Sequence, residues 1–154
     1  MALDISVHDA VSVRLARSDQ RYTKLRRTLV DILRAADRPL TIPEILASAP
    51  SLTQSGAYRN VGVLVELGVV DRIAGSDDHG RYELAGLFAG HHHHLVCESC
   101  GVVEDLHASP RLERTLAEAA RLASEEQGYD VRDHRVELFG RCPRCQAAAV
   151  KAPA

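Results

Sequence analysis

The sequence has no tryptophan, and aromatic residues make up only 4% of it. A core must therefore be assembled from Leu, Val, Ile and Ala. It also lacks any apolar run near the roughly 20 residues that a membrane helix needs, so no membrane partner is expected. The start, Met1-Ala2-Leu3-Asp4-Ile5, has neither a basic segment nor an apolar one. No secretory signal is visible, and a cytoplasmic location is expected. No cysteine is left over, because all four fall in two Cys-x-x-Cys pairs. Strong net charge is missing too, at −2 overall. The distribution is uneven, however. Residues 1–60 hold nine Lys and Arg against six acids, which leaves the other 94 residues at −5. A mildly basic front and an acidic back suit a polyanion-binding module joined to a second unit.

What is present fits two small units. A helix is possible near Asp9 to Ala16. Thr23 is placed to cap a helix running to about Ala36, with Leu25, Leu29, Ile32, Leu33 and Ala36 at helical spacing. Thr41 caps a short helix, Ile42 to Ala49, with Pro43 in its first turn. Ser51-Leu52-Thr53 opens a third helix to about Leu67, and Gly68 suits the position beyond its end. Val69 to Ile73 and Arg81 to Leu84 read as strands around turn residues Gly75 to Gly80. Three helices followed by a β-hairpin make a winged helix-turn-helix, with the third helix as the reader of the major groove. Ala85 to Gly90 reads as a small-residue hinge. His91 to Cys97, Val102 to Leu106 and Val131 to Leu138 then read as strands, a helix runs from Pro110 to Gln127, and the Ala-rich tail after Cys145 is expected to fray. The fold class is α+β: a winged-helix domain (1–84), a hinge (85–90), an α/β dimerisation and metal-binding domain with a four-cysteine zinc site (91–148), and a tail (149–154).

The two pairs, Cys97/Cys100 and Cys142/Cys145, carry the first chemistry. Each tight turn presents two sulfurs, and two facing turns complete a tetrahedral all-sulfur site that suits structural zinc. A disulfide framework conflicts with a cytosolic chain. A thiol redox site needs one such pair rather than two.

His91-His92-His93-His94 carries the second. On a strand these side chains alternate, so His91 and His93 face one way and His92 and His94 the other. One strand can thus supply two ligands to each of two sites. Further candidates are His134 and Glu113 or Glu118 in the back half, and Asp71, His79 and Glu83 in the front. A site fed from both halves would fix their relative orientation, which lets a small ion regulate DNA affinity.

With these pieces in view, the chain resembles the ferric uptake regulator family of bacterial repressors, which includes the zinc-uptake regulators. The resemblance rests on Thr23-x-x-Arg26, Ser55-Gly56-Ala57-Tyr58-Arg59-Asn60 and Arg81-Tyr82-Glu83-Leu84. It rests above all on His91 to Val96 leading into Cys97-x-x-Cys100-Gly101, and on His134-x-x-Glu137-Leu138-Phe139-Gly140-x-Cys142-x-x-Cys145. These span roughly residues 20–146. The resemblance implies a homodimer that binds a palindromic double-stranded DNA operator and represses metal-uptake genes. It implies structural Zn2+ on the four cysteines, a regulatory site of His92, His94, Glu83 and Asp71 at the hinge, and a second site of His91, His93, His134 and Glu113, with Glu118 as the alternative acid. Tyr58 and Arg59 match positions that face DNA. Arg26, Arg27 and Arg59 are expected at phosphates and Ser55 to Tyr58 at base edges. Two positions depart from the pattern. Zinc-uptake regulators place a cysteine where Ala85 stands, and iron and peroxide sensors a histidine where Pro39 stands. Zn2+ is favoured as regulatory metal because Asp71 matches the zinc regulators. Fe2+, Mn2+ and Ni2+ suit the same N/O ligands. A zinc hydrolase or a metal-storage protein are the competing readings, and neither accounts for the helix-turn-helix.

Overall fold

The structure is a computed structural model and describes residues 6–74 and 79–150. The expected turn at Gly75 to Asp78, the first five residues and residues 151–154 lie outside the described residues.

Side-chain caps set the starts of the front helices. The helix α1 spans Val7–Ala16, and α2 spans Lys24–Ala35 with the Thr23 hydroxyl accepting from the Arg26 N–H. Two residues, Leu40–Thr41, form β1. The helix α3, Ile42–Ser48, follows at once with a capping box: Thr41 accepts from the Glu44 N–H while Glu44 accepts from the Thr41 N–H. The helix α4, Gln54–Glu66, is capped by Thr53 and ends near Gly68, whose φ of 64° is in the left-handed region. Strands β2 (Val70–Ala74) and β3 (Gly80–Leu84) form an antiparallel hairpin, and β1 adds to the far edge of β3. The core is aliphatic, as the lack of aromatics requires. Val11, Leu15, Leu29, Val30, Ile45, Ala57, Leu64 and Val69 are all fully buried. This is a winged helix with one additional N-terminal helix.

Residues 85–90, expected as a small-residue hinge, contain a helical turn. One helical turn, α5 (Gly86–Ala89), forms there, closed by Ala89 N–H donating to the Ala85 carbonyl. Within this turn Phe88 leans on the front core while Leu87 is exposed.

The back half holds β4 (His93–Cys97), β5 (Val103–Leu106), α6 (Pro110–Gln127), β6 (Glu137–Gly140) and α7 (Pro143–Val150). The sheet order is β5-β4-β6, with β4 antiparallel to β5 and parallel to β6. The third strand is shorter and later than Val131 to Leu138. Only Glu137 to Gly140 find partners, opposite His94 to Cys97. Residues 128–136 belong to neither helix nor strand. Residues 146–150, expected to fray, belong to α7, because alanine favours helix and Pro143 sits at its start. The halves meet where Ile73 of β2 packs on Val96 and Val103. Among the described residues no helix is long and apolar enough to cross a membrane.

Candidate metal centres

Three groups of potential ligands form among the described residues, and the His91 to Cys97 stretch that contains β4 feeds all of them. At its C-terminal end, Cys97 and Cys100 flank a turn closed by Gly101 N–H donating to the Cys97 carbonyl. Gly101 sits at φ 71°, a conformation that glycine adopts at little cost. Cys142 and Cys145, at the start of α7, face this turn. Cys100 Sγ and Cys142 Sγ are 3.8 Å apart. Zinc–sulfur bonds of about 2.3 Å in a tetrahedron give sulfur–sulfur edges of about 3.8 Å, so the spacing fits the ion. The Cys142 backbone N–H donates to Cys97 Sγ at 3.3 Å. That bond, with further backbone N–H groups, lowers the Cys97 thiol to about 6, towards the thiolate a metal requires. The neighbouring Cys142 and Cys100 push the Cys145 thiol up to about 12.

The alternation of the histidines builds the other two groups. His92 Nε2 lies 3.0 Å from Glu83 Oε2, and His94 Nε2 lies 3.0 Å from Glu83 Oε1. Glu83 is thus bridged between two imidazoles of the opposite half. Burial acts to raise the Glu83 carboxyl, but its bonds to His94 and His92 outweigh that and lower it. Burial likewise acts against the charged form of His92, and the bond to Glu83 prevails and raises it. Asp105 of β5 completes this group, with Oδ1 at 3.9 Å from His92 Nε2. That oxygen is buried without a hydrogen-bond partner. An orphaned buried carboxylate oxygen beside two imidazoles and a second carboxylate is what a divalent cation would satisfy.

On the other face of β4, His93 Nε2 is 3.0 Å from Glu113 Oε1. His91 Nε2 is 3.1 Å from His134 Nε2, and Glu113 Oε2 lies 3.4 Å from the first and 3.3 Å from the second. Metal–ligand bonds of about 2.0–2.1 Å imply edges of about 3.4 Å in a tetrahedral shell, so this group too has the dimensions of a four-coordinate site. Burial pushes the His93 imidazole below its ordinary value, towards the neutral form that a ligand must have.

Several expected residues lie elsewhere. Asp71 is outside the hinge group and carries an ion pair with Arg135 at 2.7 Å. The carboxylate that clusters with Glu83, His92 and His94 is Asp105. No sequence motif marks Asp105; the signal is strand register, which sets it directly opposite His94. Glu118 pairs with Arg121 on the exposed side of α6, leaving Glu113 as the acid facing the histidines. His79 gives its carbonyl to Arg81 and belongs to none of the three groups. Arg26, expected at phosphates, is buried. Its guanidinium donates to Asn60 Oδ1, the Arg21 carbonyl and Gln20 Oε1, and so it ties α2 to α4 and the preceding loop. Arg27 is exposed, over the Tyr22 ring at 4.8 Å. Ser55, Tyr58 and Arg59 are exposed on α4.

A winged helix is thus joined to a sheet that gathers histidines, carboxylates and thiols into groups able to hold metal. The comparisons agree. The family model for the ferric uptake regulator family matches residues 17–139. The chain is 32% identical to the ferric uptake regulation protein of Bacillus subtilis (strain 168), covering 89% of this chain and 93% of that one. It is 29% identical to the peroxide-responsive repressor PerR of Staphylococcus saprophyticus, over 86% of each. Among solved structures, the ferric uptake regulator of Helicobacter pylori superposes with a TM-score of 0.71 at 22% identity, over 91% of each chain. A zinc-bound manganese uptake regulator gives 0.59 at 27%, over 84% of this chain and 96% of that one. The chain belongs to the ferric uptake regulator family. It is therefore a metal-responsive transcription regulator and not an enzyme. The curated relatives named here are iron and peroxide regulators rather than zinc-uptake regulators.

Proposed function

We propose that this chain is a repressor that binds promoter DNA as a homodimer when a divalent metal, zinc by preference, fills the hinge group. The observation that carries this reading is Glu83. It sits on the wing strand β3, yet both its oxygens are held by histidines of the back half. A metal among Glu83, His92, His94 and Asp105 would fix the winged helix against the back half and so set the spacing of two recognition helices on adjacent major-groove faces. Zinc is kept as the first choice because two imidazoles and two carboxylates make a four-membered set that it accepts, although Asp71, which favoured zinc in the sequence, lies outside that set. Iron(II) or manganese is the alternative, since carboxylates make up half the hinge group and the relatives include iron and peroxide regulators.

His91, His93, Glu113 and His134 form the second regulatory site, and the four cysteines hold structural zinc. Arg27 and Arg59 contact phosphates, and Ser55 and Tyr58 meet base edges. The dimer forms through the back half. There Leu95 and Leu138, directly opposite each other on β4 and β6, are exposed, and α6 carries no buried residue. The operator is palindromic, matching the dimer's two-fold symmetry. The domains divide at residues 84 and 91, and the protein acts in the cytoplasm, where the metal pool is.

A gel shift tests the reading. Protein retaining its cysteine-bound zinc is titrated with zinc, iron(II), manganese and nickel on its own upstream region and on metal-uptake promoters. Binding that appears with zinc at the lowest free concentration is the expected result. A response to iron(II) or manganese alone removes the zinc assignment, and no footprint with any metal removes the repressor reading.

A further inference from the structure

Among the described residues, Glu83 is the front half's sole ligand in the hinge group. Apart from that carboxylate, the halves meet through the packing of Ile73 on Val96 and Val103, an apolar contact that sets no charge-specific register between them. The structure supplies one in Asp71 and Arg135. Asp71 lies on β2 directly opposite Glu83, so both carboxylates share a face of the hairpin. The guanidinium that meets Asp71 at 2.7 Å comes from the residue after His134, a member of the second metal group. Asp71, Glu83, His92, His94, His134 and Arg135 line one small cavity of about 30 Å³ between the halves.

The chain around Arg135 explains why metal would matter to this contact. Residues 128–136 form neither helix nor strand. Arg132 pairs with its own neighbour Asp130, and the His134 N–H is bonded to the adjacent Asp133. The segment's backbone reaches the sheet where the Val136 carbonyl accepts from the His94 N–H. A contact made from such a segment carries the entropy cost of ordering it. An ion held by His134 together with His91, His93 and Glu113 orders the segment beforehand and leaves Arg135 in place.

We infer that Arg135 is a positioning residue that transmits occupancy of the second metal site to the DNA-binding half through Asp71. This rests on the proposed reading of both histidine groups as metal sites, and it gives the second site a regulatory output. Metal at the second site strengthens operator binding because it presents Arg135 to the wing. Removing either end of the ion pair cuts that route while leaving the ligands of both sites intact.

The test is fluorescence anisotropy on the promoter duplex that the wild type binds. It uses the full chain with its cysteine zinc retained, at buffered zinc that fills both groups. Zinc stoichiometry is measured in parallel. Because an exposed ion pair is a modest tie, Arg135→Gln is expected to weaken operator binding by about three- to fivefold, with zinc stoichiometry unchanged. Asp71→Asn and Glu113→Gln are expected to cause similar losses, and pairwise combinations no further loss, since all three interrupt one route. Arg135→Lys is expected to recover most of the affinity. The inference is overturned if Arg135→Gln matches wild type while Glu113→Gln does not, or if the losses multiply. It is also overturned if Arg135→Gln tightens zinc at the hinge group with DNA affinity held, because Asp71 would then be acting as a hinge ligand. Metal-independent DNA binding by the wild type would instead defeat the functional reading itself, and so the two failures are distinguishable.

Discussion

At the scale of single residues, neighbours in sequence do different work. Arg26 and Arg27 look alike as basic residues of one helix, yet one is buried with three side-chain bonds and the other is exposed. Arg26→Ala would leave the Asn60 side-chain oxygen unpaired in the interior and open a void. It is expected to cost about 2–4 kcal/mol in chemical denaturation. Arg27→Ala should leave stability nearly unchanged and weaken DNA binding in a salt-dependent way. Equal stability losses from both would contradict this division. Gly56 is a second case. A Cβ there would come within 2.8 Å of the Thr53 hydroxyl oxygen that caps α4. Gly56→Ala should therefore displace the cap and cost about 1 kcal/mol, although alanine is intrinsically the better helix former. A thermal melt that rises instead would show that the cap is dispensable. Neither role is visible in the sequence, because arginine serves at phosphates and in interior networks alike and burial is a property of the fold.

At the scale of elements, capping chemistry is legible in the sequence and strand register is not. Thr23 and Thr41 each cap a helix as expected, and Thr53 is the capping residue of the Ser51-Leu52-Thr53 opening, because a cap is a local interaction over three residues. The alternation of Val131 to Leu138 points to the wrong place for β6, since pairing depends on what β4 offers opposite it. The placement of Asp105 and Asp71 is likewise a question of register: β5 sets Asp105 opposite His94, and β2 sets Asp71 opposite Glu83. The capping box of α3 also gives a pH test. Burial acts to raise the Glu44 carboxyl, but bonds from Arg38 and Thr41 outweigh it and hold it at about 2. Its folded-state value is below the ordinary 4.5. The stabilisation is thus present above 4.5 and lost as pH falls towards 2. Melting temperature measured over that window should fall less steeply in Glu44→Gln than in the parent. Identical slopes would remove the carboxylate from the account. On the sheet's exposed face, Leu95→Asp or Leu138→Asp should dissociate the dimer to monomers at micromolar concentration in sedimentation velocity, with the cysteine zinc retained. A dimer that persists in both variants would place the interface elsewhere.

At the scale of the molecule, a single stretch of chain serves three sites. It ends in Cys97, turns His91 and His93 to α6, and turns His92 and His94 to the wing. The strand β4 begins at His93, later than the expected His91, yet the alternation carries on through His92 and His91 and separates the two groups without any additional segment. That much is readable from four histidines in a row. Which acids answer them is not, because those on the front half come from a separate hairpin whose docking rests on Ile73, Glu83 and Asp71. The central claim is that metal in the hinge group couples this docking to DNA affinity. The most direct measurement is operator binding by the His92→Ala/His94→Ala double variant, compared with wild type as zinc is raised from chelated to saturating. The account expects wild-type affinity to rise by about 100-fold, and the double variant, still a folded dimer holding its cysteine zinc, to stay at the chelated level throughout. A double variant that gains affinity with zinc as wild type does would contradict it.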